Sequence, residues 1–211
     1  MSGPTLVIEL AAPPSPAVLQ EFRALMVRLS SSFEEKRPGY YDVSVPLDAL
    51  GADDFLEEKD RHRPFRPFWL GDVHIAEESL VPGWLDLESV DRHRPFLVYL
   101  MGPAAGHEEL FDAEHEDEPE VVSVLGFTPT HAVNVSASCN DRADHVAAAL
   151  LTAAVLEVVG GVAKAELTDG QAAAVAGLPG MLGITEGDEM VLGTAEFLRA
   201  WAGYPGFRLV K

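Results

Sequence analysis

Hydrophobic and polar positions alternate with a clear rhythm at the start of this chain. Thr5 to Leu10 reads as an opening strand in which Glu9 interrupts the apolar run. Pro13-Pro14-Ser15-Pro16 ends it and supplies Ser15 as an N-cap with proline at the first helical position. Val18, Leu19, Phe22, Leu25, Met26, Leu29 and Phe33 then recur at three-to-four spacing, which predicts an amphipathic helix of about five turns.

Pro38-Gly39 turns the chain into a strand at Tyr40 to Val45, followed by a short helix near Leu47 to Lys59. Phe68 to Ile75, Trp84 to Val90 and Pro95 to Met101 carry the composition of successive strands. Val121 to Phe127 and His131 to Ser138, joined by Thr128-Pro129-Thr130, read as an antiparallel hairpin whose second strand is half-buried. Asn140 or Asp141 caps a long apolar helix from about Arg142 to Val159, which Gly160-Gly161 stops.

After it come a strand at Val162 to Leu167, a short helix at Gln171 to Ala176 and a glycine-punctuated loop or weak hairpin. Thr194 caps a last helix, Ala195 to Ala202, and Phe207 to Val210 reads as a terminal strand. The sum is an α+β fold: a mostly antiparallel sheet packed by the N-terminal amphipathic helix and the long apolar helix. Residues 1–211 form one unit, with two lobes meeting near residues 107–120 as the alternative arrangement.

Charge changes the picture. The chain has 34 Asp plus Glu against 15 Lys plus Arg, a net charge of -19. The excess is densest from His107 to Glu120, where Glu108, Glu109, Asp112, Glu114, Glu116, Asp117, Glu118 and Glu120 are acidic. Such a surface repels nucleic acid and anionic lipid and accelerates encounter with basic partners. The longest apolar stretch, Val146 to Val159, is too short for a membrane span, and Cys139 is the single cysteine, so no internal disulfide forms. The cytoplasm is the expected compartment.

Chemical motifs fail one by one. His107-Glu108 begins a zinc-protease pattern, but Phe111 stands where the second histidine belongs. His107 and His115 would lie roughly 80° apart on a helix, poor geometry for shared coordination. Asp112, Glu114, Glu116 and Glu118 mimic a calcium loop without its glycine. No cofactor or metal is therefore expected. Cys139, at a helix entry with Asp144 and His145 close in sequence, is the best nucleophile candidate, although Asp141 and Asp144 oppose thiolate formation. The hexapeptide Asp60-Arg61-His62-Arg63-Pro64-Phe65 recurs as Asp91 to Phe96, which reads as two strand-entry turns or as a duplicated contact.

Ser138-Cys139-Asn140, Asp144-His145, Gly160-Gly161 and the ending Glu196 to Trp201 and Tyr204 to Lys211 resemble an actinobacterial domain family of unknown function, best over the C-terminal third. In general character the chain is also similar to immunity proteins of bacterial toxin systems. That similarity implies a non-enzymatic inhibitor that occludes a basic toxin or nuclease. Glu108, Glu109, Asp112, Glu114, Glu116, Asp117 and Glu118 would meet the partner, with Phe111 as an apolar anchor. A thiol-dependent enzyme around Cys139 and His145, or a self-associating scaffold, is the alternative.

Overall fold

A computed structural model describes residues 3–61, 69–70, 73–74, 92–116, 118–185, 187 and 189–210. Eight strands form one open, wholly antiparallel sheet, in the order β2-β3-β6-β7-β1-β8-β10-β9. They are β1 (Thr5–Leu10), β2 (Ser32–Arg37), β3 (Tyr40–Pro46), β6 (His93–Met101), β7 (His131–Ala137), β8 (Val162–Glu166), β9 (Met181–Ile184) and β10 (Met190–Gly193). A separate two-stranded ribbon pairs β4 (Trp69–Leu70) with β5 (Val73–His74). The fold is α+β.

Three helices cover one face. In α1 (Pro16–Leu29) the Ser15 hydroxyl accepts from the Val18 amide, and Phe22, Leu25 and Met26 are buried. In α5 (Arg142–Val159) Asp141 and Asp144 close a reciprocal capping box, and nearly every residue from Ala143 to Leu156 is buried. The third, α7 (Ala195–Ala202), stacks Phe197 on Trp201 against α5. Period-two alternation supplies the sheet's half of this core: Leu6, Ile8 and Leu10 from β1, Val133 and Val135 from β7, Ala163 and Ala165 from β8.

The intervening residues point to the other face, which carries α3 (Glu108–Glu114) and α4 (Pro119–Leu125). Phe111 of α3 sits with Met101, Ala132, Val7 and Tyr99 in a second small apolar cluster. Val124 of α4 abuts Gly183, where a side chain would collide with it. Because β7 is central and enclosed, His131 to Val135 are all buried, where alternation predicts a half-buried strand.

Several elements differ from expectation. Val121 to Phe127 is not a strand: Pro119 at the first helical position starts α4, Gly126 ends it in the left-handed conformation, and a short apolar run serves either structure. The strand β7 therefore pairs with β1 and β6 instead of closing a hairpin. The N-terminal helix stops at Leu29, and Phe33 lies in edge strand β2 against Tyr41, so apolar spacing continued across a helix end. Leu47 to Lys59 holds two single turns of 3-10 helix before α2 (Glu58–Arg61).

Phe207 to Val210 is not a strand and pairs with none. Its backbone instead covers α5, with the Leu209 N–H donating to His145 Nδ1 at 3.1 Å. The short helix α6 (Gln171–Val175) falls where expected, and the glycine-rich segment is the β9–β10 hairpin. The strand expected at Trp84 to Val90 and most of the first hexapeptide lie outside the described residues. Among the described residues, no helix is long and apolar enough to cross a membrane.

Candidate functional site

On the face bearing α3 and α4, four charged side chains from distant parts of the chain converge. Glu9 of β1 is 0% exposed. Its Oε2 lies 2.7 Å from His115 Nε2, and its Oε1 lies 2.9 Å from Lys164 Nζ of β8. The Lys164 ammonium also reaches Glu118 Oε2 at 2.7 Å. Strand register explains the convergence. Val7 pairs with Lys164 and Glu9 with Val162, so Glu9 and Lys164 are diagonal neighbours on one face of two adjacent antiparallel strands.

Gly161 lets β8 begin so close to β1. Its φ is +89°, and a Cβ there would stand 2.3 Å from the Glu9 carbonyl oxygen.

The protonation of His115 follows from its partners. Nδ1 lies 2.7 Å from the Phe111 carbonyl and Nε2 faces the Glu9 carboxylate, so both ring nitrogens meet acceptors. A neutral ring offers a single donor and would turn a lone pair on one of them. Burial works against the charged ring, yet the hydrogen bond and charge of Glu9 hold its pKa above the ordinary histidine value. Burial likewise opposes the Glu9 carboxylate, but His115 and Lys164 together bring its pKa below the usual glutamate value. For Lys164 the same penalty is overcome by Glu9 and Glu118, and its pKa rises.

Glu9, His115 and Glu118 bring donor atoms within 4.8 Å of one another, a spacing a metal ion could use. The chemistry of the set does not fit one. Lys164 already stands between the two carboxylates as the cation, and His115 Nε2 carries the proton that Glu9 accepts. A metal would have to expel one and deprotonate the other.

Beside this cluster a cavity of about 550 Å³ opens between α3, α4 and the Thr128-Pro129 loop. Phe111, Val121, Val122 and Pro129 give it apolar walls, and Asp112 and Glu116 stand among its acidic residues. The Phe111 and His115 rings stack with centroids 4.1 Å apart.

The structure sorts the expected partner-binding residues. Glu108, Glu109, Asp112 and Glu116 are exposed, although Glu108 Oε1 also accepts from the Ala104 amide at 2.6 Å. Glu118 is engaged by Lys164, and Glu114 is half-buried, with burial raising its pKa. Asp117 lies outside the described residues. Phe111 is not an exposed anchor: it is 7% exposed because its position on α3 faces the sheet, whereas its neighbour Leu110 is 38% exposed. Sequence reasoning missed Glu9 and Lys164. The available signal was a charge at an interior position of each of two largely apolar strands.

The second candidate region lies at the other end of β7. Burial and the Asp144 charge raise the Cys139 thiol pKa, opposite to what a nucleophile requires. His145 Nδ1 is committed to the Leu209 amide. Asp144 lies 3.1 Å from Arg94 Nε, but burial first, then the Asp141 charge, push its carboxyl up to about 7. Arg94 belongs to the second hexapeptide copy, and there it is a buried structural cation. Arg92 of the same copy pairs with Asp53 at 2.6 Å.

A model of a family of unknown function, DUF6368, matches residues 2–211. The chain belongs to that family. The DUF6368 match thus takes in both the C-terminal third and the strands and helices that build the charged cluster and cavity. No curated protein and no solved structure matches the chain significantly.

Proposed function

We propose that this DUF6368 protein is a non-enzymatic acidic binding protein of the immunity type, which blocks a basic toxin or nuclease domain sterically and steers it in electrostatically. The observation that carries the reading is the outer surface of α3 and α4. Glu109, Asp112, Glu116 and Glu120 are all exposed there, and among the described residues none of them forms an ion pair. They lie within twelve residues of sequence on two short neighbouring helices and the link between them, which concentrates the charge in one place. Unpaired charge of one sign on a rigid support favours encounter with the opposite sign, and a net charge of -19 reinforces it at long range.

Cytoplasmic residence belongs to the same proposal, since such an inhibitor protects the cell that makes it. The test is affinity capture from a lysate of the source organism at low and moderate salt, followed by an activity assay on what is recovered. The reading requires one stoichiometric basic protein whose toxic or nuclease activity falls to zero at a one-to-one ratio. Recovery of a partner whose activity is unchanged, or of none at either salt, contradicts it.

A further inference from the structure

We propose that the cavity between α3, α4 and the Thr128-Pro129 loop receives an arginine side chain of the basic partner. This rests on the acidic-partner reading and specifies the contact at its centre. The cavity is large enough for such a group, at about 550 Å³. Its walls match the two halves of an arginine: Val121, Val122 and Pro129 offer apolar surface to an aliphatic stem, and Asp112 and Glu116 offer carboxylates to the guanidinium.

Among the described residues, no cation pairs with those two carboxylates. Lys164 lies between Glu9 and Glu118, and His115 is turned to Glu9. The two carboxylates and two cations of the cluster balance one another, which leaves Asp112 and Glu116 as further negative charge on the cavity wall. A planar guanidinium can offer paired N–H groups to two carboxylates at once, which a compact ammonium cannot, and Phe111 lines the cavity beside them. Asp112 and Glu116 therefore act as specificity residues, and the Glu9 cluster as the support that holds α3 over the sheet.

The experiment is amide NMR of the full chain titrated with acetyl-Gly-Arg-Gly-amide, with the citrulline and lysine versions as probes of charge and shape. The expected result is saturable shifts centred on Ala113, Val122 and Thr128, with the citrulline peptide binding roughly tenfold or more weakly. Val122→Trp, which fills the cavity without changing charge, should remove those shifts. The proposal is overturned if the shifts are absent, or spread without saturation over the amides of Glu109 and Glu120. Equal binding of the citrulline peptide overturns the carboxylate contact, and equal binding of the lysine peptide overturns the preference for arginine. Each of these outcomes leaves capture of a basic protein by the acidic surface intact, whereas loss of capture removes the surface reading itself.

Discussion

His115 Nε2 stands 2.7 Å from Glu9 Oε2, across 106 residues of sequence, and the contact fixes the end of α3 to the centre of the sheet. The two titrations point in opposite directions. Glu9, with a lowered pKa, contributes stability that is present above its unfolded value and lost as pH falls through its folded one. His115, with a raised pKa, contributes stability that is full below its unfolded value and lost as pH rises through its folded one. His115→Gln should therefore lower Tm most in mildly acidic solution and least in alkaline solution. Thermal unfolding of the two proteins across pH checks this, and a Tm difference independent of pH contradicts it.

Lys164 is the cation between two carboxylates in a site from which water is largely excluded. Removing one member of a buried charge group leaves the rest uncompensated. Lys164→Met should cost about 3–5 kcal/mol in denaturant unfolding. Adding Glu9→Gln to it should recover part of that loss, because the stranded carboxylate is gone. Additive losses would show that the two side chains are not coupled.

Asp144 carries a pH dependence of the opposite sign to Glu9. Its carboxyl is pushed up to about 7 by burial and by Asp141, so the folded state binds a proton that the unfolded state has released, and stability from this group falls as pH rises from about 4 to 7. Asp144→Asn should flatten that slope. Relative to the natural chain, the variant should fare best above pH 7, where the natural fold must hold Asp144 ionised in a buried site. Unfolding free energies at matched pH values decide the matter.

The thiol of Cys139 is half-buried, and burial and Asp144 disfavour its thiolate. Labelling by a thiol reagent at neutral pH should be slower than for an unfolded control of the same chain, and should accelerate in Asp144→Asn. Labelling faster than the control would restore a nucleophilic role.

Much of the framework was legible in the sequence because local signals agreed. Strand β1 and helices α5 and α7 fall where alternation, capping residues and terminal glycines place them. Local signals failed where one pattern serves two structures. Val121 to Leu125 is apolar enough for a strand, but Pro119 and Gly126 bracket it as a helix that packs beside β9 and β10. The acidic stretch was legible as composition, yet its division was not. Glu118 turns inward because Lys164 is there to receive it, and Lys164 arrives from 46 residues away through a strand pairing that no local pattern encodes. Glu9 was visible only as an interruption in an apolar run; its partners make it the centre of the site.

The central claim is that the outward carboxylates of α3 and α4 bring a basic partner to this protein. The most direct measurement is the association rate of the captured partner as a function of ionic strength, for the natural chain and for a variant carrying Glu109→Gln, Asp112→Asn, Glu116→Gln and Glu120→Gln. These four side chains are exposed and unpaired among the described residues, so the variant should unfold at nearly the same temperature. The account predicts association slowed by roughly tenfold or more at low salt, with a much flatter salt dependence. An unchanged rate and an unchanged slope would contradict it.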